Sequence, residues 1–114
     1  MEFTQENIES LKVNEVEIMK RIAEELNIRI QQVSAVITLV EEGCTIPFIS
    51  RYRKEKHGSL DEVQVRDCDH LFKSYKNVEE RRLEIVKGVF AQGKLTETLY
   101  NAIMAASTMT ALED

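Results

Sequence analysis

Apolar residues in this chain return every three or four positions, the spacing of one face of an α-helix. The first clear run spans about Glu15 to Asn27, where Ile18, Ile22 and Leu26 recur with Met19 beside them and Asn14 stands as the N-cap. The second runs from about Ile30 to Glu42, with Val33, Val36, Ile37 and Val40 on one stripe that Leu39 widens. Gly43 follows as the residue that can turn left-handed without a Cβ penalty. Residues 1–13 carry no strong period and read either as a loose arm or as a short helix around Ile8 and Leu11.

A third helix is predicted to begin near Pro47, whose missing N–H costs nothing in a first helical turn. On it Phe48, Ile49 and Tyr52 fall within about 100° of arc and are expected to point inward, holding the helix in place. Arg51, Arg53 and Lys54 fall outside that arc and are expected to project outward, with Lys56 inside it near the helix end. His57-Gly58 closes this helix, and Ser59-Leu60-Asp61-Glu62 reads as a capping box that starts the next. That next helix can reach Gln92, with a stripe from Cys68, Leu71 and Phe72 through Tyr75 and Val78 to Ile85, Val86, Val89 and Phe90. A break near Asn77 stays open, and Gly88 is a weak point worth about 1 kcal/mol against Ala. Arg82 interrupts the stripe, which favours packing of helix on helix over a free coiled coil. After Gln92-Gly93-Lys94, Thr96 is the N-cap of a helix to about Ala106 that buries Leu99, Ile103 and Ala106, with Leu95 stapled against Tyr100. The tail from Ser107 to Asp114 opens another start signal at Thr108 or Thr110. The predicted fold is all-α, a helical bundle with a helix-turn-helix-like N-terminal part and a long helix after residue 59.

Composition agrees with that pattern. At 114 residues, with 43% hydrophobic and 31% charged residues, residues 1–114 are expected to form a single helical domain. One proline and four glycines leave few breaks. No apolar run approaches the roughly 20 residues of a membrane span, and the N-terminus lacks a signal-peptide pattern, so no membrane partner and a cytoplasmic location are expected. Cys44 and Cys68 are expected as buried reduced thiols, and the Cys68–His70 spacing matches no zinc pattern, so no metal and no cofactor is expected. No phosphate-binding glycine loop and no recognisable nucleophile–base spacing occurs, and no catalysis is expected.

Charge is unevenly placed. The net charge is −5 overall, yet residues 43–57 carry Arg51, Arg53, Lys54 and Lys56 against Glu55 alone. This basic island supports two readings: phosphate contacts, or cations near a helix end that pair with acids. No Asn or Gln lies among them to read adenine, so sequence-specific DNA recognition is not expected.

The stretch Gly43-Cys44-Thr45-Ile46-Pro47-Phe48-Ile49-Ser50-Arg51-Tyr52-Arg53-Lys54-Glu55, followed by Gly58-Ser59-Leu60-Asp61-Glu62, closely resembles the signature of the bacterial Tex transcription accessory proteins. The resemblance continues through Val78-Glu79-Glu80-Arg81-Arg82 and Gln92-Gly93-Lys94-Leu95-Thr96, and covers nearly everything from Ile22 to Asp114. It departs at Cys44 and Ser50, where the family often has Ala, and at Lys56-His57, where a Thr is common before the Gly. The resemblance implies the N-terminal part of a long, largely helical, multi-domain cytoplasmic protein that acts in transcription and binds nucleic acid, RNA or DNA. Downstream such proteins carry a ribonuclease-H-like domain, a helix-hairpin-helix and an S1 RNA-binding domain. The implied role is a non-catalytic helical module with Arg51, Arg53, Lys54 and Lys56 as phosphate contacts and Pro47, Phe48, Ile49 and Tyr52 as their structural support. The alternative is a structural or protein-docking scaffold packing against the downstream domains or RNA polymerase.

Overall fold

A computed structural model describes residues 3–106. Helices are its regular elements: α1 (Gln5–Glu9), α2 (Glu15–Leu26), α3 (Ile30–Glu41), α4 (Ile46–Tyr52), α5 (Lys54–His57), α6 (Glu62–Ala91) and α7 (Glu97–Ala105). The expected all-α fold is observed, with no strand among the described residues. They divide into two compact units, one formed by residues 14–75 and one by residues 3–13 with 76–106. The helix start expected at Thr108 or Thr110 lies outside the described residues.

In the unit of residues 14–75, local chemistry sets the helix ends. The Asn14 side chain accepts from the N–H of Glu17 and caps α2. Asn27 ends α2 in the left-handed region at φ 54°, which asparagine tolerates better than most residues. The buried faces are Ile18, Ile22 and Ala23 on α2, Val33, Val36, Ile37 and Leu39 on α3, and Ile49 on α4. The first part of α6 adds Val65, Cys68 and Phe72. Burial of apolar area of this kind is the main stabilising term, about 25 cal/mol per Å² removed from water. Tyr75 donates its hydroxyl proton to Glu25, and Arg21 lies 4.0 Å from the centre of its ring.

One helix start here agrees with expectation and one differs by two residues. Helix α4 begins near Pro47 as expected: the Thr45 side chain caps it by accepting from the N–H of Phe48, and Pro47 sits inside the first turn. The cap of α6 is Asp61 rather than Ser59. Asp61 accepts from the N–H of Gln64 at 2.8 Å while Gln64 accepts from the N–H of Asp61 at 3.1 Å. Ser59 has a φ of 68° and belongs to the turn before it. Helix α6 then runs unbroken through Asn77 and Gly88.

In the other unit, Ile8, Val86 and Ile103 form the buried cluster, with Phe3, Leu11, Ile85, Phe90, Leu95 and Tyr100 packed against it. The first residues are therefore a short helix with Ile8 inward, capped by Thr4. Thr96 caps α7 as expected. Of the three residues expected to be buried on α7, Ile103 is buried, Ala106 is half-buried and Leu99 is exposed. Leu99 stands four residues before Ile103 but lies on the open edge of a nine-residue helix. Arg82 is only 5% exposed and ties α6 to α7: its Nη1 donates to the carbonyl of Ile103, while Nε and Nη2 donate to the Glu79 carboxylate. The interruption of the apolar stripe is thus a buried cation that satisfies a carbonyl in the last turn of α7.

Candidate functional site

The basic island forms a broken helix. Helix α4 stops at Tyr52, Arg53 departs from helical geometry at φ −122° and ψ 32°, and α5 resumes for four residues. A single straight helix is not observed. The cause is His57, which is fully buried. Its Nε2 lies 2.7 Å from the carbonyl oxygen of Ile49, and its Nδ1 accepts from the N–H of Leu60 at 2.9 Å. Since Nδ1 accepts, Nε2 carries the proton and donates to Ile49. In a straight helix eight residues would separate these groups by about 12 Å. The kink at Arg53 brings the imidazole onto Ile49.

Helix α3 fixes the far end of the segment. The Gln32 carbonyl accepts from the N–H of Arg29 at 2.8 Å, and its amide donates to the carbonyl of His57 at 3.0 Å. Gly58 follows at φ 68°, and a Cβ there would meet the Gln32 amide nitrogen at 2.8 Å. The left-handed backbone favours glycine at this position, and a Cβ there would have to displace the end of the Gln32 side chain.

This architecture sorts the site residues differently from their sequence pattern. Arg51, Lys54 and Lys56 are exposed, and no ion pair among the described residues engages them. Arg53 is half-buried, 3.7 Å from Glu55, with its guanidinium 5.8 Å from the Phe48 ring centre and its Nε buried without a partner. Ile49 is buried as expected. The inward placement of Phe48 and Tyr52 is corrected: they are 41% and 66% exposed, with ring centres 5.3 Å apart. Beside Ile49, the buried residues of this segment are Ser50 and His57. The wheel assumed one continuous helix and gave no weight to the histidine. A His-Gly pair ending a short helix was the available signal.

Two open depressions flank α5. One is lined by Arg29, Gln31, Gln32, Glu55, Lys56 and Gly58, the other by Ala35, Thr38, Leu39, Glu42, Arg53 and Lys56. Lys56 borders both, and Arg29 joins the basic surface although it is distant in sequence. Elsewhere, both cysteines are free thiols: Cys68 is buried as expected, whereas the expected burial of Cys44 is corrected to half-buried, since it lies in the turn between α3 and α4. Burial, and then the charge of Asp67, push the Cys68 thiol from the ordinary 9.0 up to about 11. No group of three His, Cys, Asp or Glu among the described residues could hold a metal ion. No helix among them is long and apolar enough to cross a membrane.

Comparison with known proteins places this geometry in a lineage. The chain is 46% identical over 93 residues to Protein YhgF of Escherichia coli K12, which covers 82% of this chain and 12% of that protein. It is 40% identical over 97 residues to Transcriptional accessory protein Tex of Neisseria gonorrhoeae, 85% of this chain and 13% of the relative. The human S1 RNA-binding domain-containing protein 1 is 28% identical over 97 residues, 10% of its own length. The chain thus spans about an eighth of the bacterial relatives it matches. The family profile for the Tex-like protein N-terminal domain matches residues 16–90, which hold all of α2–α6 but the first and last residue, and this chain belongs to that family.

Proposed function

We propose that this chain is a non-catalytic module of a transcription accessory protein that contacts nucleic acid through the basic α4–α5 segment. The observation that carries the reading is the fixed, uncompensated positive charge: Arg51, Lys54 and Lys56 are exposed and unpaired among the described residues, on a segment held by buried His57 and by Gln32. Cations tied up in ion pairs offer little to phosphates, whereas these three are available. Arg53 serves partly as a brace, through Glu55 and Phe48, and Arg29 adds charge from the start of α3. The name of the human relative, which refers to RNA binding, is in keeping with this reading.

Fluorescence anisotropy of labelled DNA and RNA over a salt series tests it. Binding is expected at low salt and weakens with a slope of roughly 0.7–0.9 per phosphate contact. Arg51→Glu with Lys54→Glu is expected to abolish binding and leave the circular dichroism spectrum unchanged, since both side chains are exposed. Absence of binding at low salt, or full binding by the variant, overturns the proposal.

A second reading, a scaffold that packs against other parts of a longer protein or against RNA polymerase, is favoured by exposed Leu99 and Met104 on α7. Binding to a partner that survives charge reversal but is lost in Met104→Glu identifies that role.

A further inference from the structure

We propose that the trough between α3 and α5 is a docking site for a short acidic segment of another protein, with carboxylates at the Arg29 end and an apolar side chain in the middle. It is independent of the nucleic-acid reading, because it uses another side of the basic segment. Gln31, Ala35, Thr38 and Glu42 recur at steps of four, three and four residues, which places them on one face of α3. The two depressions beside α5 both lie along that face, and Lys56 borders both, so they form one trough. From Gln31 to Glu42 the face runs about 16 Å, the span of roughly five residues of extended chain. The depressions measure about 630 and 390 Å³, room for side chains rather than for a single ion. The floor is low and apolar: Leu39 is buried, and Ala35 offers only its methyl group. Arg53 and Lys56 stand on the α5 bank, and Arg29 closes one end. Arg51 and Lys54 line neither depression, so the basic island is divided between two surfaces.

Charge decides the class of occupant. Arg29, Arg53 and Lys56 face Glu42 and Glu55 across the trough. Glu55 lies 3.7 Å from Arg53, and Glu42 stands at the far end, where α3 closes. No ion pair among the described residues engages Arg29 or Lys56. The buried Nε of Arg53 has no hydrogen-bond partner. The first turn of α3 carries no acid, so the helix dipole there adds to the pull of the two cations. A carboxylate is therefore favoured at the Arg29 end and repelled beside Glu42. A wholly apolar segment would leave the cations unmatched. A phosphate backbone would carry its charge the whole length of the trough, past Glu42, whereas a peptide can place its acids at one end and lay an apolar side chain over Ala35 and Leu39.

Fluorescence anisotropy tests the trough with the intact chain and labelled peptides: Glu-Glu-Ser-Leu-Ala-Ser, its reverse order, and both again with glutamine for the two glutamates. One order is expected to bind, and its glutamine form to bind about 2- to 10-fold more weakly. Ala35→Leu, which raises the floor with a good helix former, is expected to weaken peptide binding about 10-fold and to leave nucleic-acid binding unchanged. The Arg51→Glu, Lys54→Glu variant is expected to do the reverse, keeping peptide binding within about threefold of the parent at physiological salt. Shifts of the backbone amide signals of Ala35, Thr38 and Gly58 on adding the peptide read the same contact without a variant. No binding in either order, equal binding of the glutamine forms, or full binding by Ala35→Leu overturns the proposal. Peptide binding by a chain that takes no nucleic acid upholds the trough and overturns only the phosphate reading. Peptide binding that this chain shows and a longer form of the protein lacks assigns the trough to an acidic segment of the same protein and overturns the external partner.

Discussion

Each of the two compact units buries one polar side chain that holds helices together, and they do so by opposite chemistry. In the unit of residues 14–75, His57 gives one hydrogen bond through Nε2 and takes one through Nδ1, joining Ile49 of α4 to Leu60 before α6. A neutral imidazole can do this with no counter-charge. In the other unit Arg82 is buried as a cation, donating to the Ile103 carbonyl and needing the Glu79 carboxylate beside it. Glu79 is itself partly exposed, so water shares in balancing that charge. The neutral device sets a kink and shapes the surface segment. The charged device closes a helix end.

His57→Ala carries the largest expected effect, a loss of about 2–4 kcal/mol, because it opens a cavity and strands the buried N–H of Leu60. Chemical denaturation of the variant measures the loss, and a value under about 1 kcal/mol would deny His57 its role as the pivot. Arg82→Met comes next, at about 1–3 kcal/mol, since methionine fills much of the space but removes the guanidinium from the Ile103 carbonyl, which keeps only the N–H of Ala106, and from the Glu79 carboxylate. The same change combined with Glu79→Gln should cost less than the sum of the single changes, and strict additivity would show that the two residues do not act as a pair.

A smaller effect separates the two frames for the start of α6. Asp61→Ala is expected to cost about 1 kcal/mol in thermal unfolding, whereas Ser59→Ala should stay near a few tenths. The reverse order would restore Ser59 as the cap. The smallest effect concerns Cys68, a third buried group that needs neither partner nor charge. Its folded-state value of about 11 lies above the ordinary 9.0 of an unfolded thiol. The contribution to stability is therefore complete below pH 9.0 and is lost as pH rises towards about 11. Alkylation at mildly alkaline pH should modify Cys44 before Cys68, and equal rates would contradict the burial of Cys68.

Much of the fold was legible because it is local. Asn14, Thr96 and Gly43 act on groups within four or so residues, and their side-chain chemistry acts before any distant contact forms. The period of Ile18 and Ile22 on α2, and of Val33, Val36 and Ile37 on α3, likewise marks the buried faces directly. The basic island was legible as composition. Its arrangement was not, because a helical wheel presupposes the straight helix that His57 bends.

By itself, then, the amino-acid order determined the all-helical class, most helix ends, the family and the cluster of cations from Arg51 to Lys56. Short-range hydrogen bonds and periodic hydrophobicity suffice for these. Only tertiary structure decided that Phe48 and Tyr52 face outward, that Arg29 joins the basic surface, and that His57 and Arg82 are buried. Two of those outcomes involve a partner remote in sequence: Gln32, which holds the His57 carbonyl at the end of α5, and the Ile103 carbonyl, which takes the Arg82 guanidinium. A buried polar group is stable only where its partner is supplied, and that supply is settled when the helices meet.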